Sequence, residues 1–251
     1  AVGSSAGFAI TTGVQNTLVG AFAGDALTDA DNNVAIGYHA LGGDNKGNGC
    51  TAVGAAALAN QNFTTSTNAR NTAVGDAALN QSSSGTDNSS LGAFAGYGNT
   101  TGNTNTSIGS YALFTNQAGD RNTAVGHQAL KVMNPSGNVD TYNVAVGYDA
   151  GVSVTTGVKN TLIGGSAGDA LQTGANCLVL GYNAAASSTS VSDEITLGDS
   201  NISALRCNDT SIASLSDARD KTDIIDSSFG LTFINDIRPV QFKWDRRNLV
   251  E

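Results

Sequence analysis

The chain has 251 residues, of which 31 are glycine and 2 are proline, with 13% charged and 6% aromatic side chains. So few aromatics, among so many small residues, leave a thin core unlike that of an ordinary globular enzyme, while 40% hydrophobic content at regular spacing argues against disorder. The net charge of −9, tripled in a trimer, repels phosphate backbones and sets nucleic acid aside as a partner.

Ala1 stands first where Met would be expected, so the chain is read as a piece or processed product of a longer protein. No basic stretch followed by an apolar one opens it, and no run of about 18 apolar residues occurs, so no membrane insertion is expected. Cys50, Cys177 and Cys207 are scattered without a CxxC pair, which predicts neither a zinc site nor a disulfide scaffold.

The organising feature is internal repetition. Taking the glycine of the recurring string N-T-A-V-G as origin, it falls at Gly3, Gly20, Gly37 and Gly54, at Gly75, Gly92, Gly109 and Gly126, and at Gly147, Gly164, Gly181 and Gly198. The steps are 17 within each group of four and 21 between groups, giving twelve units with a block period of 72. The residue before the glycine is Val, Ile or Leu in every unit, and the residue three after it is Ala in eleven, from Ala6 to Ala184. Asn recurs four before it, as at Asn71 and Asn143, and a second glycine recurs seven before it, as at Gly85 and Gly157.

Each unit therefore reads as one rung of a solenoid, and the fold class expected is all-β: a parallel β-solenoid or β-roll of twelve 17-residue rungs. The T-A-V string predicts a short strand, with the aliphatic residue (Val19, Ile36, Val53 and their equivalents) pointing inward and Thr outward. The origin glycine allows a positive φ or close backbone approach. The Ala column marks a place where only a methyl fits, inside the coil or against a neighbouring subunit. Stacked Asn side chains are expected to bond amide to amide and pin the register. At about 4.8 Å per rung, twelve rungs give a rod of roughly 55 Å. The four extra residues of each longer step lie within residues 60–70 and 131–142 and predict surface loops. One rung buries little, so stability has to come from stacking, and packing three coils in a parallel homotrimer would supply the missing buried area.

After Gly198 the repeat fades. Residues 201–215 read as a neck, followed by Ser216-Asp217-Ala218-Arg219-Asp220-Lys221. Asp226 or Ser227 can cap a short helix with Leu231, Phe233, Ile234 and Ile237 on one face, stopped at Pro239. Val240, Phe242 and Trp244 then alternate with polar residues as a half-buried strand. The domain plan is thus a repeat shaft over 1–200, a neck over 201–215 and a short α+β segment over 216–251.

The strings NTAVG, NVAIG and NTLVG resemble the head repeats of trimeric autotransporter adhesins, and more closely repeats found in phage tail fibres. The pattern L-S-D-x-R-x-K, then a helix and P-V-x-F-x-W, is similar to the start of the intramolecular chaperone domain of phage endosialidases, tail spikes and tail fibres. That resemblance implies a chaperone that trimerises, guides folding of the upstream fibre and cuts itself off. Carried over by position, Ser216 is the nucleophile, Lys221 its general base, and Leu215–Ser216 the scissile bond; a desolvated Lys of lowered pKa can take a Ser proton. The implied function is a virion tail-fibre subunit for host attachment. Its partners would be two further copies of itself, other tail proteins and a host surface receptor, a glycan among the candidates.

The alternatives are a cell-surface trimeric adhesin and an ice-binding solenoid. The latter calls for regular Thr-x-Thr ranks, but the single Thr column is interrupted by Val34, Val144, Leu178 and Ile195. His39 and His127 occupy different columns, reading as surface or hydrogen-bonded residues rather than metal ligands. No phosphate loop or dinucleotide fingerprint is present, so neither a cofactor nor a metal is expected. Phe22, Phe94 and Tyr111 share one column and Tyr38, Tyr148 and Tyr182 another; they either stack on sugar rings or pack between subunits or under loops.

Overall fold

A computed structural model of the chain describes residues 1–206. Three-residue strands recur from Thr17–Val19 to Ile195–Leu197, and eleven of them form one parallel sheet stacked in chain order. Their register sets each rung directly on the next: Thr17 faces Val34, Leu18 faces Ala35 and Val19 faces Ile36. The register holds across the longer steps, where Thr51 faces Thr72 and Thr123 faces Val144. Val2 adds only an isolated bridge to Val19, so the twelve glycines bound eleven turns of a parallel β-solenoid rather than twelve full rungs.

The strands meet expectation at Thr but not at the aliphatic residue before the glycine. The middle residue points inward: Leu18, Ala35, Ala52, Ala73, Ala124 and Ala145 are buried, whereas Val19, Ile36, Ile108 and Ile163 are about two-fifths exposed. Strand side chains alternate between faces, so the residues three before and one before the glycine must share a side. Thr does face outward, and the aliphatic residue faces outward beside it. The Ala column three after the glycine lies wholly inside the coil, with Ala23, Ala40, Ala95, Ala112 and Ala129 at 0% exposure.

Two further features close each turn. Beyond the strands, the alanine carbonyls form a second ladder: Ala23 O accepts from Gly7 N–H at 2.9 Å, and Ala129 O from Leu113 N–H at 3.0 Å. Gly54 shows why the origin residue is glycine. Its φ is +135°, and an added Cβ would overlap the carbonyl of Gly75 on the next rung.

The Asn column is buried but bonds differently from the expected amide stack. Asn143 Oδ1 accepts from the backbone N–H of Asn160 at 3.0 Å, while its Nδ2 donates to the Gly157 carbonyl at 2.9 Å. Each amide thus stitches its own rung to backbone groups of the next, with direct amide contacts only at some steps, such as Asn122 Nδ2 to Asn105 Oδ1 at 3.0 Å. The carbonyl of the second glycine column is the acceptor, so that glycine serves close approach of backbone.

The longer turns are only partly surface loops. Thr64, Thr65 and Ser66 are exposed, as are Ser136, Gly137 and Asn138. Gln61, Phe63, Met133 and Pro135, by contrast, are buried. Two-residue strands then return to the coil, Thr67–Asn68 pairing with Gly47–Asn48 and Val139–Asp140 with Gly119–Asp120.

Candidate functional site

The sequence-predicted cleavage residues Leu215, Ser216 and Lys221 lie outside the described residues, as do the helix and strand expected after them and most of the 201–215 neck. Among the described residues, chemistry-bearing groups gather in three places: the coil interior, the outer sheet face, and one corner.

Inside the coil, the residues seven after the origin glycine change character along the rod. Leu27 gives way to Asp44, Gln61, Ser82, Asn99 and Asn116, all buried, before Met133 restores an apolar lining. The Asp44 carboxylate accepts from the backbone N–H groups of Gly47 and Phe63, and Gln61 Nε2 donates to it at 2.7 Å. Gln61 Oε1 accepts in turn from Asn71 Nδ2 at 2.8 Å. Cys50 Sγ lies 3.2 Å from Gln61 Nε2, and burial pushes its thiol up to about 11. A protonated, enclosed thiol is a poor nucleophile. This network pairs the Asp44 and Gln61 side chains and holds the longer turn against the coil, whereas Ser82 Oγ and Asn99 Oδ1 further along the column have no hydrogen-bond partner among the described residues.

The histidines stay apart. His127 stacks on Tyr148 with centroids 5.3 Å apart and planes 7° apart, while His39 lies beside Tyr38. Among the described residues, no group of three or more His, Cys, Asp or Glu could hold a metal ion. No helix there is long and apolar enough to cross a membrane.

The outer sheet face carries an aliphatic ladder along the full stack. Its members include Val19, Ile36, Leu91, Ile108, Ile163 and Leu197, with Val53, Val74, Val125 and Val146 half-buried between them. The Thr column runs alongside, since both positions share the face. One residue per rung, repeated in register, makes a continuous apolar strip of the kind that monomeric proteins rarely expose.

The corner two to five residues after Gly92 and Gly109 gathers four rings. Phe94 and Tyr111, each in the left-handed backbone region with φ of 58° and 60°, stack at 5.2 Å with planes 12° apart. Tyr97 and Phe114 stack at 5.3 Å and 15°. The two pairs meet obliquely, with Tyr111 and Phe114 5.3 Å apart at 61°. Lys131 Nζ lies 5.9 Å from the Tyr111 ring centre. Beside the rings opens a groove of about 290 Å³ lined by Gln81, Tyr97, Phe114, Gln117 and Asn134. The sequence had flagged Phe94 and Tyr111, but not Tyr97 and Phe114, which stand five after the glycine where other rungs carry Asp25, Gly42, Ala59 or Asn80.

No family model matches the chain, and neither curated proteins nor solved structures provide a match. Over the described residues, the fold and these surfaces define a parallel β-solenoid with a continuous apolar outer strip and an aromatic corner.

Proposed function

We propose that the chain is a subunit of a homotrimeric phage tail fibre serving host attachment, folded with the help of a C-terminal chaperone segment that cuts itself off. The observation that carries this reading is the exposed aliphatic ladder on a narrow coil whose closed interior combines alanines with single larger residues such as Leu41, Leu58 and Leu113. Such a coil gains stability by burying the strip against copies of itself. The L-S-D-x-R-x-K string at residues 215–221 supports the phage assignment over a cellular adhesin.

In this reading Lys221 takes the proton from Ser216 Oγ, which attacks the Leu215 carbonyl carbon. The 215–216 C–N bond breaks as the Leu215 acyl group moves to oxygen, and Lys221 returns its proton to the departing Ser216 nitrogen to give the free amine. Water then hydrolyses the ester. Cutting after assembly would leave the fibre kinetically trapped, since the released segment no longer guides refolding.

Light scattering and mass spectrometry of the parent protein test this. The expected result is a trimer with a new N-terminus at Ser216, uncut but still trimeric in Ser216→Ala and Lys221→Ala. A folded monomer, or cleavage that persists in Ser216→Ala, would reject the corresponding half of the proposal.

A second reading has one observation in its favour. Outward Thr and Val/Ile columns on one regular sheet resemble the flat face an ice-binding solenoid needs. Thermal hysteresis in a chain that stays monomeric would select it.

A further inference from the structure

We infer that the groove beside the Tyr97–Phe114 pair is a binding site for an uncharged saccharide. The inference deepens the attachment reading above and rests on it for its biological purpose, though not for its chemistry.

Three observations converge. The first is ring surface: Tyr97 and Phe114 line the groove and are neither buried nor fully exposed. One face of each ring is taken by the other, so a pyranose ring would lay its C–H side on the ring surface left on the groove side, as a polar rim takes its hydroxyls. The second is hydrogen-bonding capacity beside those rings. The carboxamides of Gln81 and Gln117 are exposed and make no side-chain hydrogen bond with other described residues. Asn134 Oδ1 accepts from the Gln117 backbone N–H at 3.2 Å, which orients that amide and leaves its Nδ2 to donate. A carboxamide offers both an acceptor oxygen and two donors, which suits vicinal hydroxyls that do both.

The third observation is charge. The groove lining has no ionisable acid or base apart from the Tyr97 phenol, and the nearby Lys131 ammonium sits over Tyr111. On a chain of net charge −9, an uncharged groove favours a neutral ligand over a phosphorylated or sialylated one. At about 290 Å³ the groove is sized for one or two sugar units rather than a protein surface. Gly98 lets the two rungs of the groove wall approach: its N–H donates to the Phe114 carbonyl at 2.8 Å, and an added Cβ would overlap that oxygen. The groove is built from residues five to eight after the origin glycines, whereas the aliphatic strip lies one before them. Self-association through the strip therefore uses different residues from those that line the groove.

The test uses the full chain with methyl glycosides of glucose, galactose, mannose and N-acetylglucosamine in saturation-transfer NMR, then an array of neutral and sialylated oligosaccharides. Binding of at least one neutral probe is expected. The double variant Gln81→Ala/Gln117→Ala, altering only exposed side chains, should weaken it about tenfold. Tyr97→Leu should weaken it further, while Tyr182→Ala, on an exposed residue outside the groove, should leave it unchanged. Absence of binding to every neutral probe, binding confined to sialylated glycans, or binding indifferent to the glutamine double variant would each overturn the inference. A trimer that binds no neutral saccharide would reject the groove while keeping the fibre reading. A monomer that binds through Gln117 would do the reverse.

Discussion

Interior volume is balanced residue against residue. Where the middle strand residue is Leu, glycine stands four after the origin on that rung and on the one before it. A Cβ added at Gly7 or Gly24 would come within 2.8 Å of a Leu18 methyl, and one at Gly168 would come as close to Leu162. Where the middle residue is Ala, as at Ala35, Ala52 and Ala73, a buried Leu fills the same corner at Leu41, Leu58 and Leu79. A lumen filled this closely does not accept added bulk. Ala112, at 0% exposure, provides the test: Ala112→Leu should cost about 1–3 kcal/mol and lower the melting temperature. An unchanged melting temperature would mean that the column is not close-packed. Asn143 tests the polar side of the same interior. Asn143→Ala removes the acceptor for Asn160 N–H and the side-chain donor to Gly157 O. Each buried group left without a partner costs about 1–3 kcal/mol, so urea unfolding should shift to clearly lower concentration. A midpoint equal to wild type would show that water reaches the column.

At the scale of strand and turn, the longer turns carry their own local ties. Arg70 Nε and Nη2 donate to the two Asp87 carboxylate oxygens at 2.7 and 3.1 Å, joining the corner of one rung to the next. The Arg70 hydrogen bond holds the Asp87 carboxyl below its ordinary value. A depressed folded-state value contributes stability above the unfolded carboxylate range, and that contribution is lost as pH falls through the folded value. Arg70 is solvent-facing and Asp87 about a third exposed, so the contribution is small and screened by salt. Arg70→Ala should move the Asp87 titration upward toward an ordinary carboxylate in NMR, with little change in melting; an unmoved titration would show that the pair is not formed in solution. Much of this architecture was legible in the columns, because a position repeated in eleven or twelve rungs reports a constraint of the stack itself. The glycine, alanine and asparagine columns are of this kind. The inward assignment of Val19 and its equivalents failed because it ranked residues by hydrophobicity and ignored strand alternation, which ties Val19 to the same face as Thr17. Gln61 and Phe63 look like loop because the column seven after the glycine, where Gln61 stands between Asp44 and Ser82, is too polar to advertise burial, and Phe63 lies in the longer step itself. The aromatic corner was half legible for a related reason: Tyr97 and Phe114 occupy a position that most rungs give to other residues, so only the fold brings them beside Phe94 and Tyr111.

Across the whole molecule, the same parallel register that closes the core also aligns the exposed aliphatic residues. A lone coil hydrates this strip along its entire length, whereas coils meeting along a common axis would bury it at every rung, with small per-rung gains adding along the stack. The strip lies outside the closed interior, so a charge placed there separates assembly from folding. Ile108 is 39% exposed in the single coil and sits near the middle of the ladder. Ile108→Asp should leave the strand content of an isolated coil intact, because its side chain fills no part of the lumen. In a trimer joined through the strip it would bring three carboxylates together without a counter-charge, a costly arrangement once water is excluded. Light scattering at micromolar concentration should therefore give three chain masses for the wild type and one for Ile108→Asp, with similar circular dichroism. A wild type of one chain mass would remove the trimer. A trimer that tolerates the aspartate would place the subunit contact on another face and leave the ladder free for a different partner.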